Sequence, residues 1–312
     1  SSMRIVIPRE SVAGERRTSA TPETVKKMIR LGAEVAIESG AGEAVGFDNS
    51  VYSELGAEIS DDRTALLGSA DMVLRLRKPE PDEIGMMKSG CIHVSYLDPF
   101  NERDLIKTLG DKGITAISME MIPRSTRSQK MDALSSQANL AGYVAVMLAA
   151  AQLPRIFPML MTPAGTLQPA KVFIIGAGVA GLQAIATAKR LGARVIAFDT
   201  RPVVAEQVQS LGGKFLEIDL GDTGQTSDGY AKELTREQVG IQRQAQKDVI
   251  ADSDVVITTA QVFGRKPPVL VTRDMVEGMA PGSVIVDMAA ETGGNVEGSV
   301  PDETVVVDGG TI

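Results

Sequence analysis

A glycine-rich turn is the feature that most constrains how this chain can fold. Gly176, Gly178 and Gly181 follow a β-branched apolar run at 171–175 and open a segment with helical spacing. In such a turn the first glycine permits the tight bend, the second lets backbone N–H groups approach a pyrophosphate, and the third allows close helix–strand packing. The helix N-terminus adds partial positive charge. The pattern predicts a dinucleotide site, and the alternative is a glycine turn that binds nothing.

An acidic residue lies where a dinucleotide site needs one. Asp199 follows the next predicted strand, at 194–198 and about 20 residues past the glycine turn. A carboxylate at this place accepts hydrogen bonds from the ribose 2′-hydroxyl of NAD, whereas a nearby arginine such as Arg201 can accommodate the 2′-phosphate of NADP. Because Asp199 occupies the strand end, we expect NAD.

Short apolar segments alternate with helical segments along the whole chain, which is typical of parallel, doubly wound α/β sheets. The 312 residues suggest two domains, and we place them at 1–135 and 136–312. A long helix over 131–153, rich in alanine and leucine, is expected to cross from one domain to the other. The predicted strands are 4–7, 34–38, 72–76, 91–96, 115–119, 171–175, 194–198, 214–218, 254–258, 283–287 and 304–307.

Composition excludes several classes of protein. The net charge of −8 provides no global positive field for nucleic acid or anionic lipid. The longest apolar run, about 13 residues, is shorter than the roughly 20 that a membrane helix needs, so we expect no direct membrane span. Cys91 and His93 are the only residues of their kinds, and no cluster has metal-ligand spacing, so no metal is expected. A lone histidine on a strand is more often structural than catalytic.

Polar side chains are unusually dense between 124 and 139. Asp132, Ser135 and Asn139 fall at i, i+3 and i+7 of the predicted long helix, so they would share one helical face. Arg124 and Arg127 place positive charge beside them. One interpretation is a solvated connector whose acid or serine caps the helix. The other is a polar wall that faces the nicotinamide half of a dinucleotide in a cleft between the domains.

A second segment, 221–240, has no clear strand and contains Gly229 and Tyr230. Long irregular segments in compact domains are usually lids or disorder. A tyrosine ring that closes on the cofactor and a simply mobile surface loop are both compatible with this sequence.

Several motifs together resemble one known family. They are 7–10, 15–17, 121–124, 135–143, 178–192 and 229–233. The resemblance is to the NAD(H)-binding component, which is all or the first portion of the α subunit, of proton-translocating NAD(P) transhydrogenase, in the family that also contains alanine dehydrogenase. It implies a flavodoxin-like first domain and a Rossmann second domain, joined by the long helix. The family's chain also continues beyond the last strand and returns a helix to the first domain, so we expect that segment to be missing here.

The resemblance implies a role for each site residue. The residues around the nicotinamide ring, expected to be catalytic, are Arg124, Gln129, Asp132 and Ser135. The expected cofactor-binding residues are Arg127, Asn139, Gly176, Gly178, Val179, Ala180, Gly181, Asp199, Thr200, Arg201, Gly229, Tyr230, Gln242, Ala260 and Gln261.

The resemblance also implies an activity and partners. The expected enzyme is a proton-translocating transhydrogenase of the Re/Si-specific type. It would exchange hydride between NAD(H) on this chain and NADP(H) on a partner subunit. A separate membrane component would carry the proton, and this chain would be a homodimer at the cytoplasmic side of the inner membrane. Hydride exchange between two nicotinamides needs orientation rather than a general acid or base, which suits a chain with one histidine.

Two alternatives remain open. An alanine dehydrogenase is the nearer one, because it shares the fold. That chemistry needs a lysine, a histidine and an aspartate, and the residues at the matching positions are Arg77, Asp98 and Glu291. The second alternative is an NAD-sensing module without catalysis.

Overall fold

The computed structural model describes residues 2–221, 233–262, 264–307 and 310–312. The chain divides into two compact units, 1–134 and 135–312. Each unit is built on its own parallel sheet with helices in the crossover connections.

The first unit contains a six-stranded parallel sheet in the order β3-β2-β1-β4-β5-β6. Apolar side chains on the strands, such as Val6, Ala36 and Val73, pack against Leu67 and Leu109 from the helices. The strands are β1 Arg4–Ile7, β2 Glu34–Glu38, β3 Glu58–Ser60, β4 Met72–Arg77, β5 Ile92–Tyr96 and β6 Thr115–Ser118. The helices are α1 Pro22–Arg30, α2 Asn49–Ser53, α3 Arg63–Ser69, α4 Pro81–Met86 and α5 Arg103–Asp111.

This strand order corrects one detail of the predicted class. Doubly wound parallel sheets are confirmed in both units, but the first sheet is not flavodoxin-like, because that subtype has the order 2-1-3-4-5. Here β1 lies between β2 and β4, which is the Rossmann order. Both orders produce the same alternation of strands and helices along the sequence, so the alternation could not distinguish them.

In the described residues of the second unit, seven strands form a sheet in the order β11-β10-β9-β12-β13-β15-β14, in which β14 is antiparallel to its neighbour, and β7 and β8 form a separate hairpin. Its strands are β7 Leu160–Thr162, β8 Gly165–Leu167, β9 Lys171–Ile175, β10 Arg194–Phe198, β11 Lys214–Phe215, β12 Val255–Thr258, β13 Ser283–Asp287, β14 Val306–Val307 and β15 Gly310–Thr311. Its helices are α6 Ala133–Gln152, α7 Val179–Arg190, α8 Ala205–Ser210, α9 Arg236–Ala251 and α10 Arg273–Glu277.

The long helix begins two residues later than predicted. A 3-10 turn at Thr126–Met131 ends at Asp132, whose backbone angles (φ −78°, ψ 77°) are not helical, and α6 starts at Ala133. The prediction that Asp132 shares a helical face with Ser135 and Asn139 is therefore wrong for Asp132. Ser135 and Asn139, four residues apart in α6, do lie on one face.

Helix α6 is also the one helix in the described ranges that is long and apolar enough to cross a membrane, judged by length and composition alone. It buries Gly142, Ala145, Val146 and Ala149 against the second unit. A core helix of a soluble protein passes the same test, so the expectation of no direct membrane span stays a prediction.

The end of the segment 221–240 is helical. Helix α9 begins at Arg236, where Thr235 caps it: the Thr235 hydroxyl accepts from the Gln238 N–H, and the Gln238 side chain accepts from the Thr235 N–H. The reciprocal bonds satisfy two backbone donors that a helix start otherwise leaves unpaired. Gly229 and Tyr230, named as cofactor contacts, lie outside the described residues.

Candidate functional site

The three glycines of the turn have three different surroundings. Gly176 has φ +102°, and a Cβ there would lie 2.4 Å from the Thr259 hydroxyl. A Cβ on Gly181 would lie 1.8 Å from the Gly176 carbonyl oxygen, so both positions require glycine for the fold itself. Gly178 has an ordinary φ of −77°, and nothing lies within 4 Å of an added Cβ. The fold therefore tolerates a side chain at position 178. A ligand that approaches the backbone closely at this point would still require glycine there.

Gly178 is also the N-cap of α7, and no side chain caps this helix. Both Gly178 and Val179 are exposed. An exposed helix N-terminus of this kind presents backbone N–H groups and a partial positive charge to an anion. The turn therefore suits a pyrophosphate, as the sequence predicted for Gly176, Gly178, Val179, Ala180 and Gly181.

Helix α6 crosses the same turn. A Cβ on Gly142 would lie 2.3 Å from the Ala180 carbonyl oxygen, so α6 and α7 touch at Gly142. Ser135, Asn139 and Gly142 are spaced i, i+4 and i+7, and the helical period therefore places them on one face. Two of the predicted site residues thus lie on the face of α6 that reaches the glycine turn.

Asp199 lies at the end of β10 and joins this turn. Its Oδ2 accepts from the Ala177 N–H at 2.9 Å, and its Oδ1 accepts from the Arg201 N–H at 2.8 Å. The Arg201 guanidinium adds two bonds, Nε to Oδ1 at 3.0 Å and Nη2 to Oδ2 at 3.1 Å. Burial alone would raise the pKa of Asp199, but these hydrogen bonds outweigh burial and lower its pKa. Asp199 is therefore ionised at neutral pH.

A cavity of about 290 Å³ opens beside Asp199. Apolar side chains of Phe198, Pro202 and Leu216 line it, together with Thr200 and Gln242. Concave sites with an apolar lining and a few polar groups are typical of ligand pockets. The structure brings Asp199, Thr200 and Gln242 together, although Gln242 is far from the other two in sequence.

The loop after β12 lies on the other side of the turn. Thr259 donates its hydroxyl to the carbonyls of Ile175 and Gly176, at 3.2 Å and 3.0 Å. Ala260 and Gln261 follow, and Gln261 donates its side-chain amide to the Met288 carbonyl at 2.7 Å. Both predicted residues therefore lie at the carboxyl edge of the sheet, beside the glycine turn.

Asn295, which is fully buried and holds this loop, was not predicted from the sequence. Its amide oxygen accepts from the Ala260 N–H at 3.1 Å, and its amide nitrogen donates to the Ala260 carbonyl at 2.8 Å. A lone Asn in a Gly-Gly-Asn sequence resembles ordinary turn chemistry. No local signal indicates a contact with a residue 35 positions away.

In the first unit, the remaining predicted residues lie around the 3-10 turn at Thr126–Met131. Arg124, Arg127 and Gln129 are exposed, and Asp132 is half-buried. Asp132 is close enough to Tyr96 to influence its phenol. Burial is the main cause of the raised pKa of Tyr96. The positive charge of Arg17 opposes it, and the negative charges of Glu120 and Asp132 raise the pKa further.

Charged side chains also form a cluster at the carboxyl edge of the first sheet, which was not predicted from the sequence. Glu15 accepts from Arg17 Nη2 at 2.6 Å and from Arg77 Nε at 3.0 Å. The hydrogen bond from the Arg17 side chain is the main cause that lowers the pKa of Glu15 to about 2. Glu10 accepts from the backbone N–H groups of Leu76 and Arg77. These bonds fix the start of the chain against the end of β4.

His93, the one histidine, is fully buried in β5 and is bonded through Nε2 to the Ser95 hydroxyl at 3.0 Å. The prediction that it is structural is supported by this burial. His93 is not at a position that the resemblance matches to alanine dehydrogenase. At two positions that it does match, Arg77 is paired with Glu15, and Asp98 has φ +51° with its N–H bonded to Glu120. Lys78, the lysine that follows Arg77 in the sequence, is paired with Glu102 at 2.6 Å.

Within the part of the chain that the structure describes, no group of three or more His, Cys, Asp or Glu residues could hold a metal ion. The polar groups of the site are amides, hydroxyls, guanidiniums and isolated carboxylates. Such groups hold organic ligands and phosphates by hydrogen bonds and charge.

The two parallel sheets and the glycine turn with its acid define a two-domain α/β protein with Rossmann-type units. The chain belongs to the alanine dehydrogenase/PNT family. The family model for the C-terminal domain matches residues 145–312, and the model for the N-terminal domain matches residues 6–141.

Individual relatives agree with this assignment. The chain is 45% identical over 314 aligned positions to the first part of NAD(P) transhydrogenase subunit alpha from Rhodospirillum rubrum, covering 98% of this chain and 82% of that protein. The transhydrogenase structure from Sinorhizobium meliloti matches with a TM-score of 0.89 and 44% identity, over 99% of this chain and 84% of that one. The alanine dehydrogenase of Bacillus subtilis is 33% identical over 95% of this chain and 72% of its own length.

Proposed function

We propose that this chain binds NAD(H) and exchanges hydride with NADP(H) held by a partner subunit, as the α-subunit component of a proton-translocating transhydrogenase of the Re/Si-specific type. The observation that carries the proposal is the surroundings of Gly178. Its backbone is open beside an uncapped, exposed helix N-terminus, in a chain that is 45% identical to an alpha-subunit polypeptide of a transhydrogenase.

In this proposal, residues of the second unit bind the pyrophosphate and the adenosine half and also contact the other half. The N–H groups at Gly178, Val179 and Ala180 would hold the pyrophosphate. Asp199, which is ionised and lies at the strand end, would accept from the adenosine ribose, and the adjacent cavity of about 290 Å³ would take the adenine. Thr200, Arg201 and Gln242 would complete this end, and Ala260 and Gln261 would contact the other half.

The polar residues around 124–139 are proposed to act at the nicotinamide end. Arg124 would fix the carboxamide or the phosphates, with Arg127 and Asn139 binding beside it. Gln129, Asp132 and Ser135 would orient the ring. Gly229 and Tyr230, which lie outside the described residues, would cover the cofactor, as the family resemblance implies.

The burial of the one histidine supports hydride exchange. When bound, the nicotinamide supplies the hydride, and the exchange between two nicotinamides is balanced without a proton. The residues of this chain then need only to hold and orient the ring and keep water away. His93 is fully buried and cannot serve a reaction that moves protons to an amino-acid substrate.

Partners follow from the same proposal. An NADP(H)-binding subunit would dock on this chain, and a separate membrane component would conduct the proton. The chain would act as a homodimer at the cytoplasmic side of the inner membrane.

The test is a hydride-transfer assay with the purified chain. Mixed with a soluble NADP(H)-binding partner subunit, the chain is expected to reduce an NAD analogue at the expense of NADPH. No transfer at saturating partner, despite NADH binding, would leave the NAD-sensing alternative as the better explanation.

Alanine dehydrogenase is the second candidate, because one such enzyme is 33% identical to this chain. We expect no turnover of pyruvate and ammonia with NADH. The paired states of Arg77 and Lys78 and the burial of His93 all disfavour this reaction. Robust turnover would favour the dehydrogenase over the transhydrogenase.

A further inference from the structure

The buried Asn295 uses all of its side-chain polar atoms between two loops of the second sheet. Besides its two bonds to Ala260, its amide nitrogen donates to the Pro268 carbonyl at 2.9 Å. Its backbone carbonyl accepts from Leu270 and Val271, at 2.7 Å and 3.0 Å. An amide that donates to and accepts from the same residue fixes both the position and the rotation of that residue's backbone.

Asp287, at the end of β13, holds Asn295 in turn. The Asp287 carboxylate accepts from the Asn295 N–H at 2.9 Å and from the Ser299 hydroxyl at 2.8 Å. It accepts three further hydrogen bonds, which come from the Thr258 hydroxyl, the Ala289 N–H and the Val296 N–H. The segment between Asp287 and Ser299 is therefore folded around one carboxylate.

These bonds continue to the glycine turn. Ala260 follows Thr259, whose hydroxyl is bonded to the carbonyl of Gly176. A chain of hydrogen bonds thus runs from β13 through β12 to β9, along the carboxyl edge of three adjacent strands.

We propose that Asn295 is a positioning residue for the nicotinamide half of the bound dinucleotide, acting through Ala260 and Gln261. A dinucleotide lies across the point where the strand order reverses, which is between β9 and β12. Asp199 on β10 marks the adenosine side, so the β12 and β13 loops serve the other half. This inference rests on the proposed function, because it assumes that NAD(H) binds here.

The choice of asparagine is explained by its chemistry. Alanine at 295 would leave the N–H and carbonyl of Ala260 without partners, and aspartate would keep an acceptor but lose the donor. Second-layer groups of this kind determine how well a binding loop is preorganised. The expected defect is therefore a loss of contacts to one half of the ligand rather than a general loss.

The experiment compares NADH with ADP-ribose, which lacks only the nicotinamide. In Asn295→Ala and Asn295→Asp we expect the Kd for NADH, followed by nucleotide fluorescence, to rise roughly tenfold, as the loss of a buried hydrogen bond predicts. The Kd for ADP-ribose, measured by calorimetry, should stay close to that of the unaltered chain. Equal changes for both ligands, or no change for either, would overturn the proposal.

Asn49→Ala is the matched control. Asn49 also clamps a loop, accepting from the Gly40 N–H at 2.9 Å and donating to Ser39 at 2.8 Å, but it lies in the first unit. It should lower stability without changing the ratio of the two Kd values. If neither Asn295 variant folds, Ser299→Ala, which removes one hydrogen bond to Asp287, allows the same comparison of NADH with ADP-ribose. A weaker affinity for NADH alone would support the proposal, and equal changes for both ligands or no change for either would overturn it. An unaltered chain that binds no NADH would overturn the proposed function itself.

Discussion

The guanidinium of Arg201 covers the carboxylate of Asp199, with Nε 3.0 Å from Oδ1 and Nη2 3.1 Å from Oδ2. Asp199 is nearly buried and Arg201 is 59% exposed. The aspartate is therefore the fixed partner, and the arginine is the one that can move. The pair contains an acceptor for a ribose hydroxyl and a cation for a 2′-phosphate at the same place.

We expect Asp199 to set the choice of cofactor by holding this arginine. In Asp199→Asn the amide oxygen can still accept from the Ala177 N–H, but the charge that fixes Arg201 is lost. The NADPH affinity should rise roughly tenfold, which is the factor expected from one hydrogen bond to a charged group. The NADH affinity should fall. Titrating both nucleotides into the variant checks this.

The control for that prediction is the double variant Asp199→Asn, Arg201→Ala. It should lose the gained NADPH affinity, since the cation is gone. If Asp199→Asn alone leaves NADPH binding unchanged, Arg201 does not act as a 2′-phosphate ligand.

Two glycines of the turn should respond differently to substitution, because one is required for ligand binding and the other for the fold. Gly178→Ala should leave the free energy of unfolding within about 0.5 kcal/mol, because its φ suits alanine and the added Cβ meets open space. NADH binding should weaken roughly tenfold as the methyl group meets the pyrophosphate. Gly181→Ala should cost about 3 kcal/mol or more, because its Cβ would lie 1.8 Å from the Gly176 oxygen. Calorimetric melts and NADH titrations of both variants check this, and a strongly destabilised Gly178→Ala would contradict it.

Much of the fold was predictable from the sequence because its signals are local. The strands at 171–175 and 194–198 have the predicted bounds, since each is an apolar run ended by a turn. The order of strands in the first sheet was not predictable, because it depends on which edge each crossover joins. The start of α6 was misplaced by two residues, because a 3-10 turn and a helix have similar side-chain spacing.

The residues of the candidate site that belong to one sequence motif could be predicted. The residues that act in pairs far apart in the sequence could not. Gly178 and Asp199 belong to a fixed spacing around one turn. Asn295 contacts Ala260, 35 residues away, and Glu15 contacts Arg77, 62 residues away. Such pairs form only once the sheet has assembled, so no local pattern indicates them.

Gln129 provides a test of orientation in the proposed transfer step. Gln129→Ala should slow hydride transfer roughly 10- to 100-fold, because a misplaced ring loses its near-attack geometry. The NADH affinity should change less, since the other half of the dinucleotide is untouched. Single-turnover transfer to the partner's nucleotide, with a parallel NADH titration, measures both. Thr126→Ala, an exposed change in the same turn, is the control and should behave as the unaltered chain. Unaltered transfer in Gln129→Ala would argue against an orienting role.

The buried histidine predicts how the stability of the first unit depends on pH. Burial, with a smaller contribution from the positive charge of Arg75, lowers the pKa of His93 from 6.5 to about 4. The folded state therefore binds fewer protons than the unfolded state between these values, and stability falls as the pH drops from 6.5 towards 4. The loss approaches about 3 kcal/mol in this window. Glu83, whose pKa is also lowered, adds a further loss only below its ordinary value of 4.5.

Hydrogen exchange in β5, measured at pH 7 and at pH 5, reports this unit by itself. The unaltered chain should lose protection on acidification. Glutamine does not titrate in this range. In His93→Gln, protection should therefore depend less steeply on pH, whatever the absolute stability of the variant. Parallel pH profiles for the two chains would show that another group carries the effect.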